Sequence, residues 1–401
     1  MSLTVALRPG GERRVSRGHA WVFADELAVQ ARQLPPGGVV SVVDARGRFI
    51  GQGLANPASL IAIRLLSRDR SDDLDSVGFY EQRLAQAWRA RAAVLPGRQS
   101  VRVVSGDGDG LSGLVLDRYQ PLEGGGPIVV AQLTSLGLDQ RRELLQQAVQ
   151  AVLSPAGGVL RNDLSVRALE GLPQQVETWF GEVPAELSIA EGAARFRVDP
   201  FHGQKTGFFL DQVENRAWGA ARCGGCRVLD AYAHTGAWAV QALLAGASSA
   251  VAVDSSPRAA ELIARHGQDN GLGERLRVIQ GDARQVMETM AREGQRFERV
   301  MIDPPAFAKS RKDAGAALRG YRQVNRLALQ LVTPGGLLFS SSCSHHIEEE
   351  RFLGEILIAA AELGLSLRLV RRGEQGPDHP VHPSMPETRY LKHLVFRVEA
   401  S

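Results

Sequence analysis

Arg227-Val-Leu-Asp-Ala-Tyr-Ala-His-Thr-Gly236 decides how the rest of the chain is read. An apolar lead-in ends on Asp230, a turn carries Thr235 and Gly236, and Ala237-Trp-Ala-Val-Gln-Ala-Leu-Leu-Ala245 continues with helical spacing. This is a buried strand, a tight turn and a helix N-terminus, the arrangement that seats a ligand at the carboxyl edge of a parallel sheet. Three later apolar runs end the same way: one on Asp254, one on Gly281-Asp282-Ala283, and one on Asp303-Pro-Pro. A single strand ending on Asp is ordinary. Four in series predict a doubly wound α/β domain with acids along one rim.

That rim separates two kinds of nucleoside cofactor. A dinucleotide fold needs Gly-x-Gly-x-x-Gly at the first turn, so that backbone can touch a pyrophosphate. Here the turn offers only Gly236. Carboxylates without a phosphate seat fit S-adenosylmethionine: Asp254 for the ribose, Asp282 and Ala283 near the adenine, Asp230 with His234 and Thr235 at the methionine end. The candidate cofactor residues are Lys205, Thr206, Asp211, Asp230, Tyr232, His234, Thr235, Gly236, Asp254, Ser255, Asp282, Ala283 and Asp303.

The chain has 401 residues, enough for two or three domains, with 44% hydrophobic and 23% charged residues, as in a globular protein. No apolar run approaches a membrane span, and the first ten residues lack the pattern of a signal peptide, so a cytoplasmic location is expected. The net charge is +3, and lysine occurs only at 205, 309, 312 and 392, leaving arginine to carry nearly all the positive charge. Arginine pairs with phosphate and stacks on bases, although genome composition produces the same bias. Three cysteines imply no disulfide framework. Cys223-Gly-Gly-Cys226 has half the spacing of a zinc site with no second pair nearby, and reads as a turn; no metal is expected.

Residues 1–70 show short alternating runs broken by Pro9-Gly-Gly, Pro35-Pro-Gly-Gly and Asn56-Pro, the pattern of a small β-barrel. Arg13, Arg17, His19 and Trp21 within it combine positive charge with an aromatic, either an RNA contact or a solvated loop. Helical spacing from Asp72 to Val94 makes a connector, and residues 71–190 read as that helix plus an α+β domain. Its Gly106-Asp-Gly-Asp-Gly110 loop is too short for an EF-hand. Residues 191–401 are the doubly wound domain. Thr333-Pro-Gly-Gly336 reads as a sharp turn before a strand reaching Cys343, and Pro377–Pro386 reads as a loop placed to touch substrate.

A methyl sulfonium is already activated, so a transferase mainly aligns its acceptor. Carbon 5 of a pyrimidine is not nucleophilic until a group adds at carbon 6, and a thiolate is the usual means. Cys343 fits that role, with Asp303 holding the amino and N3 edge of a cytosine. The competing reading makes Cys343 a small buried hydrophobe and Asp303-Pro-Pro-Ala-Phe307 the amine-gripping loop of an N-methyltransferase. A third makes the chain an RNA-binding or assembly factor without turnover. A base inside RNA must be unstacked to react, which suits Pro304 and Phe307 as base contacts.

Arg17-Gly-His-Ala-Trp-Val-Phe23, Gly203-Gln-Lys-Thr-Gly-Phe-Phe-Leu-Asp-Gln212, Asp230 through Gly236, Asp303-Pro-Pro-Ala-Phe307 and Ser342-Cys-Ser-His345 together resemble the ribosomal RNA large subunit methyltransferase I family. The resemblance spans nearly the whole chain, and the Gly203–Gln212 block is its most specific part. It implies an N-terminal PUA barrel, a middle α+β domain and a Rossmann-like class I methyltransferase domain, with S-adenosylmethionine as cofactor and large-subunit rRNA as substrate. It also implies the nucleophile role for Cys343 and the base-binding role for Asp303. The expected partners are RNA and, for assembly, a second copy of the chain, with no membrane.

Overall fold

The computed structural model describes residues 3–308 and 311–400. They divide into two compact units: one runs to Ile189 and adds Val198–Leu210 and Pro377–Thr388, and the other takes Ala190–Arg197, Asp211–Gly376 and the chain from Arg389 on.

The first unit opens with β1 (Leu3–Ala6), the helical turn α1 (Glu12–Val15), β2 (Trp21–Phe23), β3 (Val39–Val43), β4 (Phe49–Ala55) and β5 (Ile61–Ser67). They form one sheet in the order β1-β3-β4-β5-β2. An antiparallel bridge between Leu7 and Leu27 then brings the two ends of that sheet together. Inside lie Val5, Leu7, Val22, Leu27, Val40, Val42 and Ile63, the inward set of the alternation seen in the sequence. Next come α2 (Val77–Val94), β6 (Val101–Ser105), β7 (Leu114–Tyr119), β8 (Ile128–Leu133), α3 (Leu136–Asp139), α4 (Arg142–Leu153), β9 (Gly157–Asn162) and β10 (Gln175–Gly181). The strands order as β10-β9-β8-β7-β6, and α2 and α4 cover the sheet through Leu84, Leu145 and Val149.

The Pro377–Thr388 segment does not behave as a free loop. Asp378 is fully buried, accepts the Arg102 backbone N–H at 3.1 Å and pairs with His379 at 2.9 Å. Its carbonyl accepts from Arg91 at 2.9 Å. Pro and His residues in a polar stretch read as exposed, but here a buried residue with three partners, two on its carboxylate and one on its carbonyl, fixes one end.

After the hairpin strands β11 (Leu187–Glu191) and β12 (Ala194–Val198), the second unit contains α5 (Val213–Ala220), β13 (Arg227–Ala231), α6 (Ala237–Leu244), β14 (Ser249–Asp254), α7 (Pro257–Asp269), β15 (Leu276–Gln280), α8 (Ala283–Arg292), β16 (Phe297–Ile302), α9 (Ala314–Leu331), β17 (Val332–Ser342), α10 (Glu349–Glu362), β18 (Leu365–Gly373) and β19 (Lys392–Ala400). Its seven-stranded sheet runs β15-β14-β13-β16-β17-β19-β18. The first five are parallel neighbours, while β19 pairs antiparallel with both β17 and β18. Chain order reverses at β13, which has β14 on one side and β16 on the other, so the cleft at its carboxyl end is the topological switch point. Val228, Leu229 and Ala231 are fully buried, as expected of a central parallel strand covered on both faces.

Thr333–Gly336 is not a turn ahead of the strand but a bulge within β17. Phe297 pairs with Val332 and Arg299 with Leu337, so two steps on β16 face five on β17. The Pro-Gly-Gly chemistry is that of a turn, and the ladder resumes beyond it.

Candidate functional site

The turn after β13 is built from three left-handed backbone positions, Tyr232 (φ 64°), His234 (φ 51°) and Gly236 (φ 68°). Two of these are not glycine, a conformation L-residues avoid unless neighbouring bonds enforce it. Here they do. The Ala233 N–H donates to the Val253 carbonyl at 3.0 Å, the His234 N–H to Asp254 Oδ2 at 2.8 Å, and the Gly236 N–H to the Ala233 carbonyl at 2.7 Å. Buried His266 holds the Thr235 carbonyl through Nδ1 at 2.8 Å. A Cβ at Gly236 would lie 2.8 Å from Ile263 Cγ2, so a side chain there would force Ile263 or the turn to shift.

Asp230 is buried beneath this turn, and its Oδ2 accepts the backbone N–H of Ala239 in the first turn of α6 at 3.1 Å. A helix N-terminus that would attract phosphate already holds a carboxylate. Burial pushes the Asp230 carboxyl up to about 7, with the charges of Asp303 and Asp254 pushing the same way, while the Ala239 N–H and Arg216 pull it down. Three acids from three adjacent strands thus share one field. A cation entering that field relieves their repulsion, which fits a sulfonium and an amino group and does not fit a diphosphate.

Asp254 ends β14, with Oδ1 accepting the Ser256 N–H at 3.0 Å while Oδ2 holds His234. A carboxylate has about four acceptor sites, so two stay available after these bonds. Ser255 beside it is exposed. Asp282 caps α8, accepting the N–H groups of Arg284 and Gln285 at 3.0 and 3.1 Å. Ala283 is buried in the core, so only its backbone faces outward. Tyr232 stands in the field of Asp282 and Arg284, and burial raises its hydroxyl to about 12.

At the β16 edge, Asp303 Oδ2 accepts from Gln212 Nε2 at 2.8 Å, and the same amide reaches Ser341 Oγ at 3.3 Å. Gln212 is held in turn by Asn215 at 2.8 Å. This links the end of β16 to the end of β17, where Cys343 sits half-buried. The serines leading to it are tied from alternate sides. Ser340 bonds Asn325 at 2.7 Å, Ser341 bonds His393 Nδ1 at 2.9 Å, and Ser342 donates to the Tyr321 hydroxyl at 2.9 Å, which also contacts Ser344 Oγ at 2.8 Å. His393 stacks on Trp238, and burial pulls its imidazole down to about 3, so it stays neutral. Asp211 is buried and accepts the Tyr390 hydroxyl at 2.7 Å, and the Tyr390 ring lies 5.6 Å from that of His345. Arg216 is clamped by Glu191 at 2.8 and 2.5 Å.

The two remaining cofactor candidates belong to the other unit. Thr206 is fully buried there, its hydroxyl donating to Asp117 and lying 3.1 Å from the Tyr119 hydroxyl. Lys205, with φ 53°, places its ammonium 4.1 Å over the Phe209 ring. Of the RNA candidates, His19 is buried and accepts the Trp21 N–H, and the Trp21 indole donates to Asp107 and Ser112 at 2.9 and 3.2 Å. Both serve the interior of the first unit. Arg13 and Arg17 line an open cleft with Arg48, Phe49 and Arg68, three residues the sequence reading did not single out. Pro304 is buried, and Phe307 packs against Tyr321 at 4.7 Å between ring centres.

Tyr321, Lys392 and His393 are site residues that the motifs did not include, and Gln212 closed the Gly203–Gln212 motif without being given a role. Of the first three only Lys392 left a signal, being one of four lysines in a chain that mostly uses arginine.

Residues 5–68 match the family model of a PUA-like domain, and residues 139–397 that of an S-adenosylmethionine-dependent methyltransferase. Curated relatives called Ribosomal RNA large subunit methyltransferase I, from Pseudoalteromonas atlantica and Escherichia coli (strain SE11), are 33% identical over 401 and 402 residues, covering 99% of this chain and 100% of each relative. Among solved structures, SMU.776, described as a methyltransferase complexed with SAH, aligns with a TM-score of 0.84 at 20% identity, covering 99% of this chain and 100% of that one. A SAM-dependent methyltransferase from Streptococcus mutans aligns at 0.82 and 19% identity over 98% and 100%. At those identities the likeness is one of fold.

Proposed function

Because the chain belongs to the ribosomal RNA large subunit methyltransferase I family of S-adenosylmethionine-dependent methyltransferases, we propose that it methylates carbon 5 of a cytosine in large-subunit rRNA through a transient bond from Cys343 to carbon 6. S-adenosylmethionine, when bound, supplies a methyl group on a sulfonium. The chain's residues would do the rest. Asp230 and Asp254 would hold the positive and ribose ends of the cofactor, with Asp282 and the Ala283 backbone near its base. Asp303 would grip the cytosine edge, with Gln212 fixing that carboxylate's angle.

In the reaction, Cys343 Sγ as thiolate forms a bond to carbon 6, and the carbon 5–carbon 6 π pair moves towards carbon 5. That pair would take the methyl as its bond to the sulfonium breaks, the bonding electrons staying on sulfur. The carbon 5 proton then goes to a base, and the electrons of that C–H bond re-form the double bond as the Sγ–C6 bond breaks. The observation that carries this reading is the half-buried thiol just past β17, a strand whose Ser341 hydroxyl is joined through the Gln212 amide to the Asp303 carboxylate after β16. In an N-methyltransferase no thiol is needed, and a cysteine there would be free to be fully buried.

The experiment is trapping with a large-subunit rRNA fragment carrying 5-fluorocytidine, whose fluorine cannot leave as a proton does. The expected result is a covalent protein–RNA species in the wild type that Cys343→Ala abolishes, with 5-methylcytidine formed on unmodified RNA. A Cys343→Ala enzyme that still methylates would end the covalent reading.

A further inference from the structure

Lys392 brackets Cys343. The antiparallel register of β17 and β19 sets Lys392 opposite Ser342, one residue before the cysteine. Its ammonium donates to the carbonyl oxygen of Ser344, one residue after it, at 2.6 Å. The side chain is only 8% exposed. An ammonium taken that far from water needs compensating charge, normally a carboxylate. Among the described residues the acidic group whose charge supports Lys392 is the Cys343 thiol, whereas burial and Arg389 both pull the amine down, to about 8. Arg389 is itself engaged by Glu349 and Glu374 at 3.2 and 3.3 Å. The other neighbour across this strand end, Tyr321, is a hydroxyl held by Ser342 and Ser344, and burial raises its pKa although those two bonds pull it down.

We propose that Lys392 is the counter-ion that holds Cys343 as a thiolate, taking up the proton the thiol gives away. The Sγ–H bond breaks, the proton resides on Nζ, and the pair carries no net charge. Residue choice agrees. Arginine stays protonated at any working pH, while a buried lysine exchanges its proton near neutrality, and this chain departs from its arginine habit here. Lys392 is thus a positioning residue acting through Cys343, and its use in catalysis rests on the covalent reading above.

The test reads ionisation in the full-length protein without RNA. Iodoacetamide alkylation of the Cys343 peptide is followed by mass spectrometry against pH, with Cys223 as an internal control because burial pushes its thiol up to about 12. Lys392→Met is expected to raise the apparent pKa of Cys343 by at least about one unit, roughly tenfold slower alkylation at pH 7. Lys392→Arg is expected to keep it near the wild-type value. An unchanged profile in Lys392→Met overturns the proposal. Should that variant fail to fold, the reciprocal measurement decides: in Cys343→Ala, competitive acetylation must show a lower apparent pKa for Lys392, and an unshifted amine overturns it. Methylation retained in Cys343→Ala would remove the covalent mechanism and leave this ionisation result standing.

Discussion

Asp254 offers a way to separate holding a cofactor from holding the loop beside it. Its carboxylate already accepts the N–H groups of His234 and Ser256 at 2.8 and 3.0 Å, so Asp254→Asn must turn an amide donor towards one of them or lose a ligand contact. If the two remaining acceptor sites take the ribose hydroxyls, removing the charge costs about 1.5–3 kcal/mol, a loss of roughly 10- to 150-fold in affinity. The same loss could come from a slackened turn. Calorimetry with S-adenosylhomocysteine and with its 2′-deoxy counterpart distinguishes the two, because a ligand lacking the hydroxyl has less to lose. We expect Asp254→Asn to weaken the full ligand at least tenfold and the deoxy ligand much less. Equal losses with both would refute ribose recognition by Asp254 and leave the residue as a brace for the turn.

Two further outcomes follow from the same cleft. Asp230 is raised in the folded state from 3.8 to about 7, so the stability it favours is fully present below 3.8 and is lost as pH rises through 7. Asp230→Asn is expected to flatten that loss in thermal melts between pH 5 and 8 and to abolish the gain in S-adenosylmethionine affinity as wild-type Asp230 ionises; a wild-type affinity flat across pH 7 would count against it. Gly236→Ala and Gly271→Ala both place an alanine at positive φ, but only the first drives a Cβ to 2.8 Å from another side chain, while nothing lies within 4 Å at Gly271. Urea melts are expected to cost Gly271→Ala about 1–2 kcal/mol and Gly236→Ala about 1–3 kcal/mol more, and equal costs would show that Ile263 moves aside freely.

The acid-tipped strands were legible because periodicity and strand-ending carboxylates are local signals. All four acids lie at or just past the ends of adjacent strands, β15, β14, β13 and β16, either side of the switch point. The barrel strands were legible for the same reason. What could not be read was the partner of each polar residue. Thr206 sits in the most specific motif of the chain, yet its hydroxyl is taken by Asp117, 89 positions earlier. Gln212 lies in that same motif and acts through Asp303, 91 positions later. His393 looked like any strand histidine, and only the fold reveals its stacking on Trp238 and its bond to Ser341. Such pairings depend on which strands become neighbours, and no spacing within one segment encodes that.

The carboxylate of Asp378 buried against Arg102 has a bearing on how the protein is made. Arg102 and Arg91 emerge early in synthesis, but their partner is encoded some 280 positions later. Until then the Arg102 backbone N–H and one Arg91 N–H lack these acceptors, while the two guanidinium groups already pair with Asp117 and Asp109. A truncation after Ile189, natural as it looks on a linear map, would make that vacancy permanent.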